Sequence, residues 1–472
     1  MITRFPGRRI LAVPLCGMAI LAAACSASGA GVGPTSTPQP GTADSAIAAP
    51  AGTSDPGRTA AVPTGWATPR TLPITPVAPT YTIDDPKFEP LAGARAIYGT
   101  NDGASYQIEV PAAWNGSVVY FAHGFRGNVP GLSVSPPPLR EYLIAHGYAW
   151  AASSYSRNGY NPGAGARDTY ALRSVFEQKV GAPKRSYLYG QSMGGNVVSV
   201  SLELYPTAYD GALSECGALV GQDIVDYFLS WGALAGYFAG TDLTGITTDA
   251  NRLGAVLRNQ VGPALGGPTS LTAKGQAFAS AIEDLTGGPR PYFREGFGAN
   301  YVLNFLILVN AVGVPGAANA VAENASTRYA IAAGFGVSSD QLNREIPRVR
   351  ANATYQDSTT YPEFAPLSGK LQRPLLTLHG TGDLYVPISI EQDYRRIVDA
   401  AGAGGMLVQR AVRRPGHCAF TEAERERAFE DLVAWTERGV KPAGDNLGGS
   451  LADVGRAFTQ PLGQDDPGGL TP

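Results

Sequence analysis

The chain of 472 residues carries only four cysteines, four histidines and four methionines. Two of the cysteines, Cys16 and Cys25, fall within the first 25 residues, and the remaining two are Cys216 and Cys418. No Cys/His spacing suited to zinc occurs, and no pattern calls for another metal or a cofactor. Basic residues form no stripe and the formal net charge is −3, so a nucleic-acid backbone finds no matching surface. Internal repeats at solenoid or propeller periods are missing. Long apolar runs are missing too. The longest, 10–24 and Tyr301–Val309, fall short of the roughly 20 residues that a membrane helix needs.

What is present is a hydrophobic fraction of 44%, enough for a real core, with 59 glycines and 37 prolines. Much of the proline sits in the first ninety residues and in the tail, which marks linkers rather than an unusual fold. Residues 1–25 read as an export signal, with Arg4, Arg8 and Arg9 ahead of the apolar run from Ile10 to Ala24. Leu21-Ala22-Ala23-Ala24-Cys25 resembles a bacterial lipobox, which implies a lipid on Cys25 and anchoring to the outer face of the cytoplasmic membrane. Ala22 stands where that motif usually has Leu, and cleavage with free secretion is the alternative. Residues 26–80, made of Ala, Thr, Pro, Gly and Ser, cannot bury enough surface to offset their ordering entropy and read as a disordered tether. Residues 443–472 read the same way, apart from a short helix around Leu451 to Phe458.

Between these segments apolar strands alternate with helices. Strands are expected at Gln107–Val110, Ser117–Ala122, Tyr148–Ser153, Arg185–Gly190, Asp210–Cys216, Pro374–His379 and Met406–Val412. Helices are expected at Leu139–His146, Asp168–Lys179, Met193–Leu204, Ser389–Ala400 and Thr421–Arg438. This is the rhythm of an α/β fold with a mostly parallel central sheet flanked by helices on both faces. Residues 220–366 break the rhythm and read as a large, mainly helical cap inserted before the penultimate strand. The core is thereby split into residues 81–219 and 367–442.

Gly190-Gln191-Ser192-Met193-Gly194 follows a predicted strand and opens a predicted helix. That context makes a weak five-residue pattern resemble the nucleophile elbow of the α/β-hydrolase superfamily. A serine needs a base, and with four histidines the choice can be made by position. His123 follows an early strand, His146 ends a helix and His379 ends a strand, where it packs structurally. His417 lies between the last strand and the last helix, where the resemblance places the base. Asp383 lies in His379-Gly380-Thr381-Gly382-Asp383-Leu384-Tyr385-Val386-Pro387, which resembles the acid loop of esterases and prolyl-oligopeptidase-like peptidases. The order Ser192, Asp383, His417 is the superfamily's order. Glu215, at a strand end, is a second candidate for the acid. The resemblance covers residues 95–220 and 367–440.

It further implies an oxyanion hole built from the backbone N–H groups of Met193 and Phe125, the latter in the His123–Gly127 turn. Cys216 and Cys418 fall at the carboxyl edge of such a sheet, and in an exported protein a Cys216–Cys418 disulfide is expected, with two buried thiols as the alternative. Tyr227, Phe228, Trp231, Tyr237 and Phe238 either line an acyl or aryl pocket or face the core of the cap. Tyr155, Arg157 and Tyr160 are candidate substrate contacts on a loop at the same sheet edge. The expected activity is hydrolysis of a small or polymeric carboxylic ester. A peptidase or acyltransferase with the same residues is the alternative, and a binding protein on a hydrolase scaffold the third.

Overall fold

The computed structural model describes residues 68–72, 79–244, 250–311 and 318–461. The export signal with Cys25, most of the 26–80 tether and residues 462–472 lie outside the described residues.

Eight strands form the central sheet: β1 (Ala94–Asn101), β2 (Ala104–Pro111), β3 (Ser117–Ala122), β4 (Ala149–Ser153), β5 (Arg185–Gln191), β6 (Gly211–Glu215), β7 (Leu375–Gly380) and β8 (Leu407–Val412). Their order across the sheet is β1-β2-β4-β3-β5-β6-β7-β8. Pairing is antiparallel for β1 with β2 and for β2 with β4, and parallel from β4 through β8. Strands β3, β4, β6, β7 and β8 are buried at every position, because helices cover both faces. That is why they read as continuous apolar runs. Strand β1 was not anticipated: as an edge strand it alternates between half-buried and exposed positions, and its mixed sequence gives no strong signal.

Helices α1 (Arg140–Ala145), α2 (Pro162–Lys179) and α3 (Met193–Leu204) belong to the first part of the core. Leu172 and Phe176 of α2 and Val198 and Leu202 of α3 pack on one face of the sheet. Leu143 and Ile144 of α1 pack on the other, with Phe429, Leu432 and Trp435 of the last helix. Helix α2 begins six residues earlier than its pattern suggests, because Pro162 suits a first helical turn.

Between β6 and β7 lies the insertion. It holds α4 (Gly221–Ala239), α5 (Ala250–Val256), α6 (Gly262–Leu265), α7 (Ala273–Leu285), α8 (Phe293–Ala311), α9 (Ala318–Val321) and α10 (Ser339–Glu345). Its centre is Trp231, which meets the rings of Phe278, Phe297, Tyr301 and Phe305. No helix among the described residues is long and apolar enough to cross a membrane. In the stretch Tyr301–Val309, Tyr301 and Asn304 point inward while Val302 and Leu303 are exposed. After β7 come α11 (Ser389–Ala400) and α12 (Glu422–Arg438).

Two tail assignments are corrected. Residues 443–461 are not disordered: Leu447, Leu451 and Val454 pack on Ile388 and Ala411. Asp445 donates its N–H to Gln409 O (2.7 Å) and accepts from Ala411 N–H (2.8 Å), so the tail covers the outer edge of β8. Residues 451–458 form turns, not a helix. Within the span read as tether, Arg70–Thr71 pairs in parallel with Val349–Arg350 and Leu72 is buried.

Candidate active site

Ser192 stands between β5 and α3 at φ 59°, ψ −122°, a left-handed conformation that costs a non-glycine residue energy. The neighbouring glycines are required by close approach. A Cβ on Gly190 would lie 2.1 Å from Gly194 O, and one on Gly194 would lie 2.0 Å from Ala122 O. With hydrogen there instead, strand and helix crowd together and the Ser192 side chain is pushed out at the carboxyl edge of the sheet. The turn is held by Ser192 N–H to Glu215 O (3.0 Å) and Ala218 N–H to Ser192 O (3.0 Å).

His417, on the loop between β8 and α12, places Nε2 2.8 Å from Ser192 Oγ. Its Nδ1 lies 2.7 Å from Asp383 Oδ2. A carboxylate accepts only, so Nδ1 carries the proton and donates it, leaving Nε2 to accept from the serine hydroxyl. Asp383 is fully buried, and its other oxygen accepts from Tyr385 N–H (2.9 Å) and Val386 N–H (3.0 Å). The Tyr385 ring packs edge-on to His417, centroids 4.9 Å apart, and Phe228 of α4 packs on Tyr385 at 5.6 Å. Tyr385 escaped notice in the sequence, although it stands two residues from Asp383.

The other histidines do other work. His123 is buried beneath the turn that carries Phe125, stacked on Tyr155 at 3.9 Å, and burial together with the charge of Arg126 pushes its pKa down to about 3. It is therefore a neutral ring. His146 is a helix-end residue stacked on Tyr142. His379 is buried under the acid loop and donates from Nε2 to Val386 O (2.8 Å). Burial opposes charge on that ring, but the Glu391 carboxylate 3.3 Å away, with Asp383 and the Val386 carbonyl, outweighs it and holds the pKa above the usual value. Glu215 is not the partner of His417, whose Nδ1 is taken by Asp383: its carboxylate is paired with Arg425 at 3.2 Å. Burial raises the Glu215 pKa and Arg425 offsets part of that.

Gly124 lies against Ser192, where an added Cβ would be 3.0 Å from Ser192 Cβ. That brings the turn carrying Phe125 beside Ser192. The N–H groups of Phe125 and of Met193, first in α3, bond to no other described backbone or side chain. They remain available to a ligand atom.

Cys216 and Cys418 form a disulfide with Cα atoms 5.2 Å apart. The sulfurs lie within 4.8 Å of a His417 ring nitrogen, but a disulfide presents no thiolate to a metal. Two of the three candidate substrate contacts are corrected. Tyr155 is fully buried, its hydroxyl on His123 O (3.1 Å), so it supports the turn from beneath. Tyr160 bonds Asn196 Oδ1 (3.1 Å) and stacks on Phe364, while Arg157 is exposed. Of the aromatics on α4, Tyr227, Trp231 and Phe238 are buried and Phe228 reaches Tyr385, so core packing describes most of them. Sequence reasoning also missed Arg290 and Asn304, which contact the acid loop from the insertion.

No family model matches the chain. A curated relative, o-phthalyl amidase of Xanthobacter agilis, is 24% identical over 401 residues, spanning 72% of this chain and 87% of that protein. Among solved structures, feruloyl esterase B from Aspergillus oryzae aligns with a TM-score of 0.45 at 16% identity, over 75% of this chain and 81% of that one. Acylaminoacyl peptidase of Pyrococcus horikoshii aligns at 0.37 and 10% identity, over 76% of this chain and 44% of that one. The strand order and the elbow between β5 and α3 are those of the α/β-hydrolase fold, and Ser192, Asp383 and His417 meet at the carboxyl edge of its sheet.

Proposed function

We propose that the protein is an exported serine hydrolase that cleaves a carboxylic ester through an acyl-enzyme on Ser192. His417 Nε2 takes the hydroxyl proton as Oγ attacks the ester carbonyl, and Asp383 holds the ring and stabilises the imidazolium that forms. The Phe125 and Met193 N–H groups receive the developing oxyanion. Collapse of the tetrahedral intermediate breaks the ester C–O bond, and His417 returns the proton to the departing alcohol. Water repeats the sequence to release the acid and regenerate Ser192. The observation that carries this reading is the unbroken relay, Ser192 Oγ to His417 Nε2 at 2.8 Å and Nδ1 to Asp383 at 2.7 Å.

An amide substrate is the second reading, favoured by the relative whose stated activity is an amidase. The disulfide agrees with an oxidising compartment and so supports export, with anchoring through a lipid on Cys25 as part of the proposal. A fluorophosphonate probe is expected to label the wild-type chain and not Ser192→Ala, and labelling of both equally would overturn the reading. A panel of p-nitrophenyl esters of rising chain length, run against the matching anilides, then separates ester from amide cleavage.

A further inference from the structure

The turn that carries Asp383 is gripped from the insertion at two carbonyls, one on each side of the carboxylate. Arg290, fully buried just ahead of α8, donates Nε–H to Thr381 O at 2.7 Å. Its other nitrogens are fixed on Gly288 O (2.8 Å) and Thr286 Oγ1 (3.0 Å). Leu384 O receives two donors, Tyr227 Oη–H at 2.5 Å and Asn304 Nδ2–H at 2.8 Å, and Asn304 also donates to Tyr227 Oη at 3.0 Å. Between these grips the backbone of α8 touches the turn directly. A Cβ on Gly296 would lie 1.8 Å from Gly382 O.

We propose that Arg290, Tyr227 and Asn304 are positioning residues that act through Asp383, so that the insertion is part of the catalytic framework and not a detachable cover. The proposal rests on the serine-hydrolase reading above. A carboxylate serves His417 only if it stays within hydrogen-bond reach of Nδ1, and a shift of about 1 Å is enough to cost much of the rate. Backbone amides of Tyr385 and Val386 orient one Asp383 oxygen from within the loop, and Thr381 N–H to Val412 O and Gly382 N–H to Arg414 O (2.8 Å each) tie the start of the loop to the β8 side, leaving Leu384 to Val386 to be held by other elements. His379 holds it from beneath at Val386 O, and the three insertion residues hold it from above. All three bury polar groups that would be costly without these carbonyls. The charged or titratable groups facing Asp383 and His417 are Arg290, Tyr227, His379 and Tyr385.

The full chain carrying Tyr227→Phe, Asn304→Leu or both is to be assayed on a p-nitrophenyl ester across pH, with unfolding followed in parallel. Each single variant is expected to lower kcat by about tenfold, the double variant by more, with KM little changed. The acidic limb of the rate profile should also move, because a displaced carboxylate no longer stabilises the imidazolium that forms in the reaction. Trp231→Phe serves as the control: it loosens the aromatic centre of the insertion, including an edge contact with the Tyr227 ring, but removes no bond to the acid turn, and should lower stability without moving that limb. A folded double variant with wild-type kcat and an unmoved limb would overturn the proposal. So would a loss that Trp231→Phe reproduces in both kcat and limb. If the wild-type chain shows no Ser192-dependent probe labelling, the hydrolase reading fails and the clamp fails with it. Labelling that depends on Ser192 while the clamp variants behave as wild type sinks the clamp alone.

Discussion

Four non-glycine residues with left-handed backbone gather at one edge of the sheet: Tyr155 (φ 57°), Ser192 (φ 59°), Cys216 (φ 45°) and Cys418 (φ 55°). Each follows a strand end or adjoins His417, and each is locked by something specific, respectively a stacked His123, the crowded elbow and the shared disulfide. Such conformations persist only where the surroundings over-determine them. A different residue-scale cost lies in the insertion. Asp226 of α4 accepts from Gln222 Nε2 (2.9 Å) and Glu323 N–H (2.6 Å), yet burial lifts its pKa to about 8. In the unfolded chain a carboxyl of this type ionises near 4. Between those values the folded chain holds a proton that the unfolded chain has released, so stability falls as pH rises through this window and levels off above it. Asp226→Asn keeps an acceptor for both donors without the titration. It is expected to match wild type in urea unfolding at pH 5 and to exceed it at pH 8. A variant that loses stability with pH as steeply as wild type would show the assignment to be wrong. Nothing in the sequence announced Asp226, because its environment is built by Glu323, far along the chain. His417 was legible, since four histidines leave room for elimination and each flanking motif names its element. Tyr227, Arg290 and Asn304 were not, since their acceptors are main-chain carbonyls that carry no side-chain signature.

At the scale of elements, the loop that carries His417 is bounded by α12, whose first turn carries a complete capping box. Thr421 Oγ1 accepts from Glu424 N–H (3.2 Å), and the Glu424 carboxylate accepts from Thr421 N–H (2.9 Å). Glu424 also binds Arg414 at 2.8 Å, so the cap ties both ends of the loop that holds His417. Thr421→Ala is expected to cost about 1 kcal/mol in denaturant unfolding. It should also lower kcat modestly, because Glu424 loses the partner that aims it. Unchanged stability would mean that the Glu424–Arg414 pair alone fixes the helix start. Elements like this one were legible from their punctuation: α3 and α11 match their predicted bounds, and each buried strand showed as an apolar run. Strand β1 and the 443–461 segment were not legible for opposite reasons. The strand is half exposed, which dilutes its pattern. The segment's Leu447, Leu451 and Val454 are spaced like a helix face among glycines, yet they fill separate slots along the β8 edge.

At the scale of the molecule, the Cys216–Cys418 bond closes a loop of 202 residues that contains the whole insertion, β7, the acid turn and β8. Cross-linking so long a span removes chain entropy from the unfolded state worth about 5 kcal/mol in the loop-closure model. It also joins the end of β6, where Cys216 N–H bonds Leu378 O of β7 (2.8 Å), to the residue after His417. One bond therefore serves two ends: it holds the second half of the core to the first, and it holds the His417 loop beside Ser192. These effects separate experimentally. Paired Cys216→Ala and Cys418→Ala replacement should lower stability by several kcal/mol and also slow labelling of Ser192 by a fluorophosphonate at temperatures where the chain is still folded. Reduction of the wild-type chain should reproduce both effects and reoxidation should reverse them. If stability falls while labelling of the folded chain is unaltered, the bond is a staple for the fold only. His417 would then be held by Asp383 and by the packing of Tyr385 alone.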